Sequence, residues 1–100
     1  MPETNIDPAL GITLLPPLTA RQLQVLSLVH RWALERQSYP TQREVAETLG
    51  FTQATTGQHI DALVRKGYLA KALGEARRNM RLTPLAVERL RSQDGQANLL

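Results

Sequence analysis

The chain has 100 residues, which suits a single domain, and it contains no cysteine, which excludes disulfide bonds and thiolate metal sites. Its net charge is only +3, and no apolar run approaches the roughly 20 residues of a membrane-spanning helix. The first ten residues lack the basic start and the continuous apolar stretch of a signal peptide. These features predict a cytoplasmic protein without a membrane partner.

The two ends of the chain differ in composition from its middle. Residues 1–17 contain four prolines and no sustained hydrophobic periodicity, and residues 92–100 are polar and contain a glycine. We therefore predict a flexible N-terminal arm, one domain over residues 18–91, and a flexible C-terminal tail. Within the domain, Thr19 can cap a first helix. Pro40 must end that helix, because proline disfavours helical geometry in the residue before it.

The middle of the domain has the pattern of two short helices joined by a tight turn. Thr41 stands three residues before Glu44, which is the spacing of a capping box. Gly50 suits the left-handed conformation that ends a helix. Thr52 can cap the next helix, which Gly67 would stop. A helix, a glycine-containing turn and a second helix form the helix-turn-helix pattern.

The second helix of this pair has polar side chains on the face opposite its apolar residues. Such groups can hydrogen-bond to base edges in the major groove of DNA, although a polar face that meets only solvent is the common alternative. Gly57 interrupts the helix at a cost of about 1 kcal/mol relative to alanine. It indicates either a close approach to DNA or close packing against the preceding helix. The side chains predicted to lie near bases are those of Thr52, Gln53, Thr55, Thr56, Gln58 and His59.

Positive charge is concentrated after the second helix, on a predicted hairpin. Residues 68–72 and 80–82 can pair as strands, joined by a loop over residues 73–79. Residues 65–81 contain six basic residues and one acidic residue, a net of +5, so the rest of the chain sums to −2. Such clustering is typical of a phosphate-binding surface, and it makes the hairpin the wing of a winged helix-turn-helix. Contacts with the DNA backbone are predicted for Thr41, Arg43, Arg65, Lys66, Lys71, Arg77 and Arg78.

Thr83 and Pro84 predict a last helix, with threonine as its cap and proline at its first position. The expected fold class is mostly α with a small β-hairpin: a three-helix core, a two-stranded wing and an extra C-terminal helix. The sequence has no motif for catalysis, for a metal ion or for a cofactor, so neither an enzyme nor a small-molecule site is predicted. A homodimer is expected, because one module offers only about 600–1,000 Å² of contact with DNA. Either the N-terminal arm or the last helix could form it.

One stretch, PPLTARQLQVLSLVHRWALERQSYPTQREVAETLGF, resembles the opening of the LexA repressor DNA-binding domain. That family has an LTxRQ helix start, a PTxxEIA-type second helix and a final LGF. The similarity continues through HIDALVRKGYL to the RLT that ends the wing, and so covers about residues 18–83. The run PT-x-x-E-V-A-x-x-L-G-F is its more specific part. A MarR-type winged helix is the second choice, because TQATTGQHIDALVRKGYL followed by RLTP is similar to that family too.

The resemblance implies a sequence-specific protein for double-stranded DNA, a small repressor-like transcriptional regulator of the cytoplasm and nucleoid. In the LexA family, residues just after the start of the recognition helix and one turn later read the operator. The side chains at these positions differ from the usual ones, and the segment is one residue shorter, so no operator sequence is implied. Counted back from His59, the matching positions are Thr52, Ala54, Thr55, Gly57 and Gln58.

The resemblance also implies DNA binding without autoproteolysis, because the sequence has no Ser/Lys dyad and no cleavage segment. Two alternatives remain open. One is a protein-interaction winged-helix module, such as an antirepressor or an assembly subunit. The other is a DNA-binding accessory factor of replication or conjugation.

Overall fold

The computed structural model describes residues 5–7 and 12–98, with the side chains of residues 15–92. The predicted fold class is confirmed, since helices dominate and the wing is a two-stranded antiparallel sheet. None of the helices in these ranges combines the length and the apolar composition that crossing a bilayer requires. The elements in chain order are β1 (Asn5–Asp7), β2 (Ile12–Leu14), α1 (Ala20–Arg36), α2 (Gln42–Leu49), α3 (Gln53–Arg65), β3 (Leu69–Lys71), β4 (Met80–Leu82) and α4 (Pro84–Asn98).

Threonines set where the first three helices begin. The hydroxyl of Thr19 accepts from the backbone N–H of Gln22, and the hydroxyl of Thr41 accepts from that of Glu44, each at 3.1 Å. In both helices the side chain three residues on accepts from the N–H of the cap, which completes a capping box. Thr52 caps α3 through a 3.0 Å bond. The predicted helix starts are therefore confirmed, and hydrogen bonds encoded within four residues explain them.

A residue in the left-handed backbone conformation follows each of the first two helices. Gly50 follows α2 with φ 72°, as predicted from its freedom from a Cβ. Gln37 follows α1 with φ 53°, and among the described residues it alone has a positive φ without being glycine. Its backbone N–H still bonds the carbonyl of Ala33, so the last turn of α1 is closed.

The core lies where α1, α3 and the wing sheet meet, and α4 covers it. Strands β3 and β4 are antiparallel, with Leu69 opposite Leu82 and Lys71 opposite Met80. Leu69 and Met80 are buried, which anchors a hairpin that would be marginal alone. The core cluster comprises Val25, Leu26, Leu28, Val29, Val45, Ile60, Leu63, Tyr68, Leu69, Met80, Ala86 and Leu90.

Both predicted flexible ends contain regular structure. Strands β1 and β2 pair antiparallel within the predicted arm, and α4 continues through Asn98 into the predicted tail. Pro16 is buried, and its carbonyl accepts a hydrogen bond from the hydroxyl of Tyr68. The boundary at residue 17 stays a prediction, although this bond attaches residue 16 to the domain. Of the predicted arm and tail, residues 1–4, 8–11, 99 and 100 lie outside the described residues.

Candidate nucleic-acid interface

Most of the residues predicted to contact bases are exposed on the surface of α3. They occupy its cap and its first two turns, which is the part of a recognition helix that contacts base edges. Gly57 and His59 are half-buried. The exposed residues of the set are Thr52, Gln53, Ala54, Thr55 and Gln58.

Thr56 does not belong to this surface, and the prediction that it lies on the exposed face is wrong. Its side chain is 0% exposed. Residue 56 precedes Ile60 and Leu63 by four and seven positions, so all three lie on the face of α3 that packs into the core. The hydroxyl oxygen of Thr56 has no hydrogen-bond partner among the described residues. A side chain in this position cannot reach a base edge.

Gly57 lies against the side chain of Gln42, the first residue of α2. The Nε2 atom of Gln42 donates to the backbone carbonyl of Gln53 over 3.2 Å. A Cβ atom added at residue 57 would lie 3.1 Å from that same nitrogen. The structure therefore has the close packing against the preceding helix that was one of the two explanations for this glycine. Sequence reasoning missed Gln42 because nothing in the pattern of α2 marks its direction.

A cleft of about 410 Å³ separates the start of α2 from the tip of the wing. The side chains of Lys71 and Arg77 form no hydrogen bond or ion pair with any residue in the described ranges. Arg43 pairs with Glu47 over 3.0 Å, but both side chains are mostly exposed, and such pairs are weak. Four residues predicted to contact the DNA backbone are thus brought together. The cleft is lined by Thr41, Gln42, Arg43, Lys71, Ala76, Arg77 and Asn79.

Arg78, the neighbour of Arg77, is bound within the fold. Its Nη1 atom lies 2.6 Å from the carboxylate of Glu44 and 3.1 Å from the carbonyl oxygen of Tyr39. Glu44 also accepts from the backbone N–H of Thr41 at 2.8 Å. That backbone bond, followed by the bond from Arg78, lowers the pKa of the Glu44 carboxyl group. The guanidinium predicted to contact DNA therefore joins the wing to the start of α2.

Tyr39 anchors the base of the wing through both its side chain and its backbone. The guanidinium carbon of Arg81 lies 5.0 Å from the centre of the tyrosine ring. The tyrosine hydroxyl accepts from the backbone N–H of Leu82 at 3.3 Å. Together with the bond from Arg78 to its carbonyl, these contacts hold strand β4 against the connection between α1 and α2.

The model of the LexA DNA binding domain family matches residues 15–78, which is more than half of the chain. The chain belongs to the LexA DNA-binding domain family. The resemblance inferred from the sequence is confirmed. The match includes α1, α2, α3 and β3, and it also includes all three cations that line the cleft.

Several LexA repressors are similar to this chain. The LexA repressor of Paraburkholderia phytofirmans is 48% identical over 62 residues, which is 60% of this chain and 28% of the relative. That of Burkholderia cenocepacia is 46% identical over 62 residues, with the same coverage. That of Delftia acidovorans is 41% identical over 63 residues, or 62% of this chain and 28% of the relative. The match thus spans little more than a quarter of these repressors.

Two other basic residues predicted to contact DNA lie at the far end of α3 in this LexA-family domain. Lys66 follows α3 directly, and its ammonium donates to the carbonyl oxygen of Pro17 at 2.8 Å and to Oε1 of Gln22 at 2.7 Å. Both bonds hold the ammonium group within the domain, so its predicted contact with the DNA backbone stays a prediction. Arg65 is exposed but ends a helix of 13 residues, roughly 18 Å from its first turn. The structure does not bring either residue to the cleft.

A cation that sequence reasoning missed lies beside the start of α3. The guanidinium carbon of Arg21 is 4.9 Å from the centre of the Phe51 ring, and that ring is 6.0 Å from the ring of His59. A cation stacked on an aromatic face is held in place without losing its charge. The signal available in the sequence was an arginine in the first turn of a capped helix, which is too common to indicate DNA by itself. No group of side chains suited to a metal ion occurs among the described residues.

Proposed function

We propose that this LexA-family domain binds double-stranded DNA in a sequence-specific manner and acts as a small, repressor-like transcriptional regulator. Helix α3 would lie in the major groove, with the wing beside it on the backbone. The proposal rests above all on the cleft, whose unpaired cations Lys71 and Arg77 lie next to the helix start that Gln42 joins to α3. The relatives named LexA repressor support the regulatory role.

In this proposal the cleft binds phosphates, and the exposed first turns of α3 contact bases. Cations on phosphates hold a protein in register on the duplex but carry no sequence information. Amide and hydroxyl groups on base edges carry it, and glutamine can pair bidentately with adenine. We therefore assign phosphate contacts to Arg43, Lys71 and Arg77, and base contacts to the exposed first turns of α3. Thr52, Gln53, Thr55 and Gln58 supply the hydrogen-bonding groups there.

The set of DNA-contacting residues proposed here differs from the one expected from the sequence. Thr56 is omitted because it is buried, and Lys66 and Arg78 are omitted because their charges are bound within the fold. Arg21 is added because it is exposed beside Phe51 and α3. Thr41, Ala54, Gly57, His59 and Arg65 keep their proposed places near DNA without a separate role.

We further propose that the domain binds its operator as a homodimer, in the cytoplasm. A single module offers only about 600–1,000 Å² of contact, which favours two copies on two half-sites. Sedimentation of the protein with a duplex that carries one or two copies of the selected site tests this. Two proteins should bind the longer duplex cooperatively, and independent binding would contradict the dimer. No catalytic role is proposed for the domain.

The test of DNA binding uses fluorescence anisotropy with a random-sequence duplex at several salt concentrations. We expect log K to fall linearly with log salt, as counterions are released from the phosphates. Selection from a randomised duplex library should then enrich one motif. Absence of binding at low salt would favour a protein-interaction module instead. Salt-dependent binding without any enriched motif would favour an accessory factor that does not read sequence.

A further inference from the structure

We propose that Gln42 is a positioning residue for the recognition helix, and that residue 57 is glycine because the Gln42 side chain occupies the space beside it. The sequence offered close packing against the preceding helix as one of two explanations for Gly57, but it did not identify Gln42 as the neighbour or give it a role. The inference rests on the proposed DNA binding, since it concerns how the base-contacting residues are held.

The side chain of Gln42 joins the starts of two helices. Gln42 is the first residue of α2, and its Nε2 atom donates to the carbonyl of Gln53, the first residue of α3, over 3.2 Å. In a helix, that carbonyl also accepts from the N–H of residue 57, one turn later. A carbonyl oxygen has two lone pairs, so it can accept both bonds. The glutamine amide is therefore held at the one place where residues 53 and 57 meet.

The backbone of Gly57 does not require glycine. Gly50 and Gly74 have φ values of 72° and 82°, and an added Cβ would meet nothing within 4 Å, so their conformation explains them. Gly57 has no such left-handed φ, and an added Cβ would lie 3.1 Å from Nε2 of Gln42 and 3.7 Å from its Cδ. Backbone conformation therefore does not account for this glycine, and the tightest contact that a side chain here would make is with the end of the Gln42 side chain.

The position of Gln42 connects the two parts of the interface. Besides its bond to α3, it lines the cleft together with Arg43 and Arg77. If the amide is displaced, the first turn of α3 loses its fixed offset from the cations that would hold phosphates. The consequence should be poorer discrimination between base sequences, with little change in the attraction to any duplex.

The test compares four variants with the wild-type protein. Gln42→Met keeps the length of the side chain but cannot donate, and Gly57→Ala displaces the amide. The other two are Gln42→Ala and the double variant Gln42→Ala with Gly57→Ala. Gln24→Met is the matched control, because Gln24 is an exposed glutamine on α1. For each protein, the affinity for the wild-type selected duplex is divided by that for a random duplex.

We expect Gln42→Met and Gly57→Ala each to lower this ratio about fivefold, the worth of one hydrogen bond, with the salt dependence on random duplex unchanged. In the Gln42→Ala background, Gly57→Ala should have no further effect on the ratio, because every contact of the added Cβ closer than 3.8 Å is with the removed Gln42 amide. There it should raise Tm by about 4–8 °C through helix propensity. Additive effects of the two substitutions, or an unchanged ratio in Gln42→Met, would overturn the proposal.

A measurement without DNA separates this inference from the proposed function. In ¹H–¹⁵N spectra, Gly57→Ala should move the side-chain amide signal of Gln42 and the backbone amide signals of the first turn of α3. It should leave the signal of Gln24 in place. Unmoved Gln42 signals would overturn the positioning role even in a protein that binds DNA well. A protein that shows these shifts but binds no duplex would instead contradict the proposed function.

Discussion

Two groups of cations on this domain, most of them within residues 65–81, have different surroundings. The cleft cations, Arg43, Lys71 and Arg77, face an open cleft between the wing and the start of α2. The fold cations, Lys66, Arg78 and Arg81, donate to carbonyl oxygens or to a carboxylate of the domain itself. The difference shows that the net charge counted over a sequence segment is larger than the charge that is free to bind a partner. Half of the basic residues in the segment 65–81 hold the fold together.

The largest effect expected from this comparison is that of Lys71→Ala combined with Arg77→Ala. Affinity for random duplex should fall on the order of tenfold per lost phosphate contact near 0.1 M salt, and the slope of log K against log salt should decrease by about 2. Thermal stability should change by less than about 0.5 kcal/mol, because neither side chain has a partner in the described structure. Anisotropy titrations at four salt concentrations measure both quantities.

The control for that double variant removes two charges elsewhere. Arg31→Ala with Arg91→Ala changes two exposed arginines, one on α1 and one on α4, that do not line the cleft. Its salt slope should stay near that of the wild-type protein. An equal decrease in both double variants would mean that net charge, and not the cleft, determines binding.

The reverse pattern is expected when a fold cation is replaced. Lys66→Met removes two hydrogen bonds, to Pro17 and Gln22, and should lower the free energy of unfolding by about 1–3 kcal/mol. The salt slope on random duplex should not change. Urea unfolding together with the binding titration checks both parts. A decrease of about 1 in the slope with unchanged stability would show that Lys66 contacts phosphate after all.

The comparison extends from cations to hydroxyl groups at residues 55 and 56. Thr56→Val replaces a buried hydroxyl that has no partner in the described structure with a methyl group of similar size, and should stabilise the domain by about 1 kcal/mol. DNA binding should be unchanged. Thr55→Val, on the exposed side, should alter sequence preference without a gain in stability. Loss of sequence discrimination in Thr56→Val would contradict the buried position of its side chain.

The smallest effect concerns the pair between Arg78 and Glu44. Because the pKa of Glu44 is lowered in the fold, its contribution to stability is complete above the ordinary value of 4.5 and is lost as the pH falls below it. Glu44→Gln should therefore show a weaker dependence of stability on pH below 4.5 than the wild-type protein. The difference should stay under about 1 kcal/mol, since both partners are partly exposed. Thermal unfolding between pH 3 and 6 measures it, and identical profiles would contradict the role of this carboxylate.

Much of the fold could be predicted because its signals are local. The caps at Thr19, Thr41 and Thr52 and the left-handed Gly50 each depend on a few neighbouring residues, and all were confirmed. Strand β4 has the predicted bounds, Met80–Leu82. Strands β1 and β2 were missed, because short segments among prolines and without periodicity give no local signal for pairing.

The candidate site could be predicted only in part, since partners distant in sequence decide which polar groups are free. Arg77 and Arg78 are adjacent residues of the same type. The fold distinguishes them, because it places Glu44 and the carbonyl of Tyr39 beside Arg78. Likewise, Thr55 and Thr56 differ in exposure because the core lies on one side of α3. The proposed role of Gln42 could not be predicted from the sequence, because it depends on contact with a glycine fifteen residues away.

Tyr39 belongs to neither α3 nor the wing, yet its ring, its hydroxyl and its backbone carbonyl all contact residues of the wing. In the proposed binding mode, the length of the short connection that carries this residue would set the distance along a duplex between the base contacts of α3 and the phosphate contacts of the hairpin. If the proposed contacts hold, an insertion or deletion in that connection would move the hairpin to a different phosphate while every contacting residue kept its identity. Such a change would alter the length of DNA that the domain covers without changing the side chains on its surface.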